Sequence, residues 1–181
     1  LSDEFNLNAS LSSEIIYKIL PTPNFEISNV MLSTGSDERF DEFAQVKKIK
    51  IYILSSKLFD QNELEIKKIV LLNSNFNINK NSFKYLKEYL KEKNSTKQIL
   101  VKKGNIFFKD KKHKEAIFFS SIKRSSLFYD EKNNKNKMYI HGSVFNTKFD
   151  FNFSRDLNNL GKTNTKLNFS QLNSVFKNEI I

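Results

Sequence analysis

The feature that most constrains this chain is an alternation of apolar and polar residues that recurs along most of its length. Residues 48–53 read Lys-Ile-Lys-Ile-Tyr-Ile, and residues 149–154 read Phe-Asp-Phe-Asn-Phe-Ser. A period of two is typical of half-buried antiparallel strands, which have one dry face and one wet face. The alternation therefore predicts a mainly β chain.

The same pattern predicts further strands before, between and after these two segments. Within 63–70 it slips phase, from Leu64 and Ile66 to Ile69 and Leu71, which indicates a β-bulge. Phe76 and Ile78 are expected to continue the alternation. The other predicted strands are 24–33, 99–101, 106–108, 116–118, 138–140 and 166–169.

Helix signals are few. Residues 81–93 place Phe83, Leu86 and Leu90 on one helical face, and Asn79 or Asn81 is the expected N-cap. Short helical segments are predicted at 14–20 and 37–44, a hairpin tip at 110–114 and a longer exposed loop at 130–137.

The one predicted helix cannot cover the apolar face of the predicted sheet. Seven or eight strands spaced about 4.8 Å apart make a sheet about 35 Å wide. One helix of a dozen residues is only about 18 Å long and about 10 Å across. The apolar face of the sheet must therefore close on itself, meet another protein or hold an apolar ligand.

Composition excludes several classes of site and weakens one inference. The chain has no cysteine, which excludes disulfide scaffolds, zinc ribbons, iron–sulfur clusters and thiol catalysis. Its net charge is +10, but the abundance of Lys, Asn, Ile and Phe is typical of an AT-rich genome. The charge by itself is therefore weak evidence for a nucleic-acid or anionic-lipid partner.

No arrangement of residues in the sequence predicts catalysis, a metal ion or a cofactor. The only histidines, His113 and His141, lie far apart, and the acidic run at 37–42 suits a helix N-terminus. A basic hairpin beside Phe107 and Phe108 fits either anionic lipid head groups or single-stranded nucleic acid, or is a solvated tip. The candidate head-group contacts there are Lys109, Lys111, Lys112 and Lys114.

One segment has a recognisable pattern. Residues 20–33 read Leu-Pro-Thr-Pro-Asn-Phe-Glu-Ile-Ser-Asn-Val-Met-Leu-Ser, and residues 99–110 place a glycine and an aspartate within an alternating strand pair. This pattern resembles the N-terminal region of the AsmA family over about residues 15–155. Departures are Gln61 and Asn62 in place of Gly, Asn75 in place of Pro, and the lack of an N-terminal anchor.

The resemblance implies a single region over 1–181, part of a longer chain that begins before Leu1. It implies a β-rich α+β fold in which a long, bent antiparallel sheet forms an open groove or half-barrel with one or two short helices. Members are non-enzymatic Gram-negative envelope proteins, anchored in the inner membrane with a periplasmic body. Their chorein-like relatives are thought to conduct phospholipid toward the outer membrane.

On this interpretation the partner is a phospholipid or other acyl-chain lipid, no cofactor is needed and nucleic acid is disfavoured. A basic nucleic-acid-binding module and a structural protein-interaction domain remain the alternatives. The candidate groove residues fill a closed sandwich core equally well. They are Phe25, Ile27, Ile49, Ile51, Ile53, Leu64, Ile66, Phe118, Met138, Ile140, Phe149, Phe151 and Phe153.

Overall fold

The described residues of the chain form one open β-sheet of eleven strands with one α-helix. The computed structural model describes residues 8–11, 14–34, 41–57, 65–109, 116–158 and 162–180. Short 3-10 turns lie at Ser55–Lys57, Glu131–Asn133 and Ser170–Leu172. The strands are β1 (Asn8–Leu11), β2 (Ile15–Lys18), β3 (Asn24–Thr34), β4 (Asp41–Ile53), β5 (Ile66–Ile78), β6 (Gln98–Lys109), β7 (Ala116–Asp130), β8 (Lys135–Val144), β9 (Thr147–Asp156), β10 (Thr163–Phe169) and β11 (Ser174–Ile180), and the helix α1 is Lys80–Tyr89.

Strand order follows chain order almost throughout. The sheet runs β1-β3-β4-β5-β6-β7-β8-β9-β10-β11, and β2 pairs with β3 on the edge that β1 also uses. Because β11 has no partner beyond it, the sheet is not closed. The predicted mainly β fold with an open sheet and little helix is therefore confirmed.

The sheet is mixed rather than purely antiparallel, because β5 and β6 are parallel. A parallel pair needs a connection that returns along the length of the strand. Here α1 and residues 90–97 provide it. The helix begins where predicted, since the Asn79 side chain accepts hydrogen bonds from the backbone N–H groups of Asn81 and Ser82. It ends at Tyr89, four residues before the predicted end.

Three sequence expectations about local structure were wrong. Residues 15–18 form β2 instead of a helix, because they pair with the exposed edge of β3. Residues 41–44 begin β4 rather than a helix, while 35–40 lie outside the described residues. The 130–137 segment is a tight turn, with Asn134 in the left-handed region, so that β8 already begins at Lys135.

One face of the sheet, here called the apolar face, carries the hydrophobic core. Ile49 and Val46 of β4 are about 1 % exposed, and they pack with neighbouring side chains of β3, β5, β6 and β7. The opposite face, here called the outer face, is more polar, although Val70 and Leu100 are buried on it. The expected bulge is also present, since the register of β4 and β5 shifts between Tyr52 and Ile53, opposite 66–68.

A second irregularity crosses five neighbouring strands at one level. In β3, both Ile27 and Val30 belong to the core, so the two residues between them face outward. The same doubling occurs in β4 to β7, and the strands stay in register because each carries it. It ends with a register shift against β8. We call this row the crease: Asn29, Lys47, Asn73, Lys103 and Lys123.

The sheet is strongly curved around α1. Leu32 on β3 and Ile140 on β8 line the same cavity of about 170 Å³ beneath the helix. These strands are five spacings apart, which is roughly 24 Å in a flat sheet. A cavity of this size can touch both only if the sheet bends, and extra residues of the kind found in the crease bend strands.

Candidate functional site

The described candidate groove residues all lie on the apolar face. Residues paired across neighbouring strands share a face, and the pairs Phe25–Ile51, Ile27–Ile49 and Ile53–Ile66 link β3, β4 and β5. The pairs Met138–Phe153, Ile140–Phe151 and Gly142–Phe149 continue the same face across β8 and β9. Phe118 reaches it through its partner Phe108, whereas Leu64 lies outside the described residues.

This shared face has a packed part and an open part. Ile27, Ile49 and Ile53 are between 1 % and 5 % exposed, so they are core residues in the curved part of the sheet. Phe151 and Phe153 on β9 are only half-buried. The candidates on β3–β5 are therefore mainly structural. On β8 and β9, Met138 and Ile140 line the cavity beneath α1 and Phe149 is buried, so the accessible candidates are Phe118, Phe151 and Phe153.

Helix α1 covers the packed part. Tyr85 lies edge-on to Phe43, with ring centroids 6.2 Å apart, and stacks against Tyr89. Burial raises the pKa of the Tyr85 phenol to about 12, so this side chain stays neutral. The remaining cavity of about 170 Å³ is lined by apolar and aromatic side chains and Ser125. A cavity near 150 Å³ holds a benzene molecule, so this one has room for a small apolar group.

The segment after α1 is fastened to the sheet by a buried asparagine. Asn136 on β8 is fully buried, donates hydrogen bonds to the carbonyl groups of Leu90 and Glu92, and accepts one from the Asn94 N–H. The Lys93 ammonium lies 4.7 Å from the centre of the Tyr129 ring. This anchor was not predictable from the sequence, because Asn136 lies in a polar run that resembles a loop.

Beyond Asn136, the apolar face is open. Phe149 and Phe169 have ring centroids 6.3 Å apart, and Phe169 meets Phe176 at the same distance. Phe176, on β11, is 62 % exposed. Apart from the 3-10 turn at Ser170–Leu172, no other element of the described chain packs extensively on β9–β11. A continuous aromatic surface therefore extends from the edge of the core to the last strand.

One end of the sheet is also aromatic. Phe108 and Phe118 stack with ring centroids 4.2 Å apart, and Phe145, in the turn between β8 and β9, lies 6.5 Å from Phe118. Phe145 is 82 % exposed. Of the candidate head-group contacts, Lys109 is exposed at this end, while Lys111, Lys112 and Lys114 lie outside the described residues.

The outer face contains a charge cluster near β3. Glu26 is 4 % exposed and forms ion pairs with Lys18, Lys48 and Lys50, at 3.0, 3.3 and 2.5 Å. Hydrogen bonds from Lys50 and then Lys18 lower the pKa of the Glu26 carboxyl to about 2. The cluster ties β2 and β4 to β3, which indicates a structural role.

The remaining titratable candidates form one pair. His141 Nδ1 lies 2.7 Å from Asp150 Oδ1 on the outer face, and His113 lies outside the described residues. Within the ranges that the structure covers, no three His, Asp or Glu side chains are grouped to hold a metal ion. None of the helices in those ranges is long and apolar enough to span a bilayer.

Comparison with known proteins adds no family assignment. No protein-family model matches the chain, and no curated protein sequence is significantly similar to it. The resemblance to the AsmA family thus stays a hypothesis that rests on residues 20–33 and on the alternation that follows them.

Proposed function

We propose that this chain is a non-enzymatic lipid-binding module of a Gram-negative cell envelope, which holds acyl chains on the open part of its apolar face. The observation that carries the proposal is the aromatic surface over β9–β11, which α1 does not cover and which is half-buried at Phe151, Phe153 and Phe169 and 62 % exposed at Phe176. The resemblance to the AsmA family supports a periplasmic location, with an inner-membrane anchor outside this chain and phospholipid as cargo.

The physical basis is non-directional burial. Each methylene group moved from water into an apolar environment contributes about 0.8 kcal/mol. Phe151, Phe153 and Phe169 offer flat apolar surface, and Arg155 follows Phe153 on the same face of β9. Because such contacts do not fix a position along the chain, an acyl tail can slide while its head group stays in water.

The aromatic end of the sheet is the proposed entry point. Phe118 and Phe145 continue the apolar face to the turns, where Lys109 is exposed. Aromatic rings and lysines are both favoured at the membrane–water interface, and lysines attract anionic head groups. A lipid leaving a bilayer at this end would meet apolar surface without crossing water.

The first test is lipid extraction. The protein, purified without detergent from a Gram-negative host, should release phospholipid into organic solvent, which mass spectrometry would identify. A preparation that is well folded, carries no lipid and does not bind the fluorescent fatty acid parinaric acid would contradict the proposal.

The second test uses two neighbouring exposed residues on opposite faces of β11. Phe176 pairs with Leu167 on the apolar face, whereas Val175, 50 % exposed, pairs with Asn168 on the outer face. We expect Phe176→Glu to weaken parinaric acid binding about tenfold, because it places a charge on the acyl-chain surface. Val175→Glu, with the same charge change, should leave affinity within about twofold. Equal effects of the two variants would argue against binding on the apolar face.

A protein-interaction role is the second candidate, favoured by the edge of β11. Every residue from Val175 to Ile180 is exposed, and the strand has an unpaired edge. Such edges pair readily with further strands. Light scattering that shows a monomer at high protein concentration, with no concentration-dependent association, would argue against this role for copies of the chain.

A further inference from the structure

The crease forms a furrow on the outer face. Its volume is about 680 Å³, within the range of small-molecule sites. The polar lining comprises four asparagines, one glutamine, one serine and two lysines. The floor is formed where Val30, Val46 and Ile122 turn toward the core. The furrow is therefore a consequence of the doubled residues, and it lies on the side opposite the proposed lipid surface.

Lys47 and Lys103 line this furrow, and three further cations, Lys102, Lys123 and Arg124, lie at the adjoining positions of β6 and β7. Lys102 pairs directly with Arg124 across β6 and β7, and Lys103 and Lys123 lie beside them at the same level. Like charges facing each other across strands are destabilising. Among the described residues, no Asp or Glu lines the furrow and no ion pair involves any of these four cations of β6 and β7.

The Glu26 cluster shows that this chain neutralises lysines elsewhere on the same face. There, three lysines converge on one buried carboxylate. Lys48 belongs to that cluster, whereas its neighbour Lys47 faces the furrow. An uncompensated group of cations beside a compensated one points to an anion that comes from outside the chain.

The backbone of the crease is also held in an uncommon conformation. Asn29, Asn73 and Lys103 have φ values of 52°, 52° and 59°, in the left-handed region. Asparagine tolerates this region, but lysine rarely adopts it, because its Cβ crowds the following carbonyl oxygen. Strain that persists at a cavity motivates a functional explanation for the residue.

The side chains that line the furrow limit the chemical class of ligand that it can bind. Lysine ammonium groups bind phosphate as point charges, while Asn, Gln and Ser side chains both donate and accept hydrogen bonds, as hydroxyl groups require. No aromatic residue lines the furrow. Single-stranded nucleic acids bind largely by stacking on aromatic rings, so this furrow does not suit them.

We propose that the furrow along the crease binds a phosphorylated polyol or sugar, either free or as the head group of a lipid. Lys47 and Lys103 in the lining, with Lys123 at the next position of the crease, contact the phosphate groups, and the amides of Asn75 and Asn105 contact hydroxyl groups. Asn105 Nδ2 already donates to Asn75 Oδ1 at 3.0 Å, which orients both amides at the furrow wall. The proposal does not depend on lipid binding at the apolar face.

The test measures binding of myo-inositol hexakisphosphate by calorimetry. We expect the triple variant Lys47→Gln, Lys103→Gln, Lys123→Gln to bind at least about tenfold more weakly than the wild type. The matched control is Lys148→Gln, Lys166→Gln, Lys177→Gln, which removes the same charge from exposed lysines of β9–β11 on the outer face. It should bind within about twofold of the wild type.

Loss of repulsion should leave the crease variant at least as stable as the wild type, which thermal unfolding would check. Equal weakening in the two triple variants would show attraction by net charge alone and overturn the proposal, as would a wild-type protein that does not bind at low salt. Phe176→Glu should bind inositol hexakisphosphate normally, which separates this site from the proposed lipid surface.

Vesicles of phosphatidylcholine, with and without phosphatidylglycerol, distinguish the two sources of the ligand. If the wild type binds the phosphatidylglycerol vesicles and the crease variant does not, the ligand is a lipid head group. If both bind them equally while only the wild type binds inositol hexakisphosphate, the ligand is a free phosphorylated compound.

Discussion

At the scale of single residues, Glu26 illustrates how a β-sheet tolerates a buried charge on its outer face. A carboxylate that is 4 % exposed loses most of its hydration, which is costly unless other groups compensate. Lys18, Lys48 and Lys50 compensate for that loss here. Lys18 lies on β2 and the other two lysines lie on β4, and both strands pair with β3, which carries Glu26. The ion pairs therefore fix the register of three strands.

Glu26→Gln should lower the free energy of unfolding by about 1.5–3 kcal/mol at neutral pH, because hydrogen bonds to a charged group are lost. Since the folded-state pKa is about 2 and the ordinary value is 4.5, the ionised carboxyl stabilises the fold fully above pH 4.5. That contribution is lost as pH falls from there through 2. The difference between wild type and variant, measured by urea unfolding, should therefore shrink over this window.

The control for this prediction is Glu88→Gln. Glu88 forms an exposed ion pair with Lys84 at 3.9 Å along α1. Such pairs contribute about 0.3–0.5 kcal/mol, so this variant should change stability little. A difference between wild type and Glu26→Gln that does not vary with pH would show that the side-chain charge is not responsible.

At the scale of elements, the segment after α1 depends on one polar side chain. Asn136 satisfies two carbonyl groups and one N–H of residues 90–94. Without it, these backbone groups would be left buried without partners. Each such group costs about 1–3 kcal/mol.

Asn136→Ala should therefore destabilise the protein by about 2–4 kcal/mol, as measured by urea unfolding. It should also increase hydrogen exchange at α1 amides. Asn152→Ala is the matched control, because Asn152 lies on the neighbouring strand and faces outward beside Tyr139. Unchanged exchange in α1 of the Asn136→Ala protein would contradict the anchoring role.

How well each element could be predicted depends on the kind of signal that its sequence gives. The cap at Asn79 was predictable because the cap residue is local, whereas the weak pattern after Asn158 predicted a strand only over 166–169, within the observed Thr163–Phe169. β2 was not predictable, since Ile15 and Ile16 are both exposed and adopt a strand conformation only through their pairing with β3.

The crease was missed for a different reason. The alternation within one strand can show that its apolar residues switch from odd to even positions. It does not show that the neighbouring strands switch at the same height in the sheet. Phe76 and Ile78 were expected to continue the alternation of Ile69 and Leu71, yet the phase reverses at Asn73. The only sequence signal was asparagine, a residue type that tolerates the left-handed region, and it is ambiguous in a chain this rich in asparagine.

The candidate surface was predictable as a face but not in its division. Alternation placed Ile49 and Phe151 on one side of the sheet, as observed. The position of α1 decides that Ile49 is core while Phe151 remains accessible, and this depends on tertiary packing. The sequence-based estimate that the helix is too small to cover the sheet holds for the open part.

At the scale of the whole molecule, stability should be uneven across the sheet. β4 and β5 hold the most buried core residues, such as Ile49 and Ile69. In β11, by contrast, Val175 to Ile180 are all exposed. Regions with few buried contacts open at lower free energy than the core.

Native-state hydrogen exchange should therefore show amides of β4 and β5 exchanging only through global unfolding, with those of β10 and β11 opening about 2 kcal/mol or more below that limit. Parinaric acid should slow exchange in β10 and β11 selectively if it binds there. Uniform protection from β4 to β11 would contradict this gradient.

The order of the strands has a further consequence for how such a molecule can change in size. From β6 onward, each strand packs mainly on the strand that precedes it and the one that follows it. A barrel fixes its strand number through closure, but an open sheet has no such requirement. Adding or removing one hairpin at the β11 side would lengthen or shorten the molecule by about 10 Å without rearranging the core, so its reach is an adjustable property.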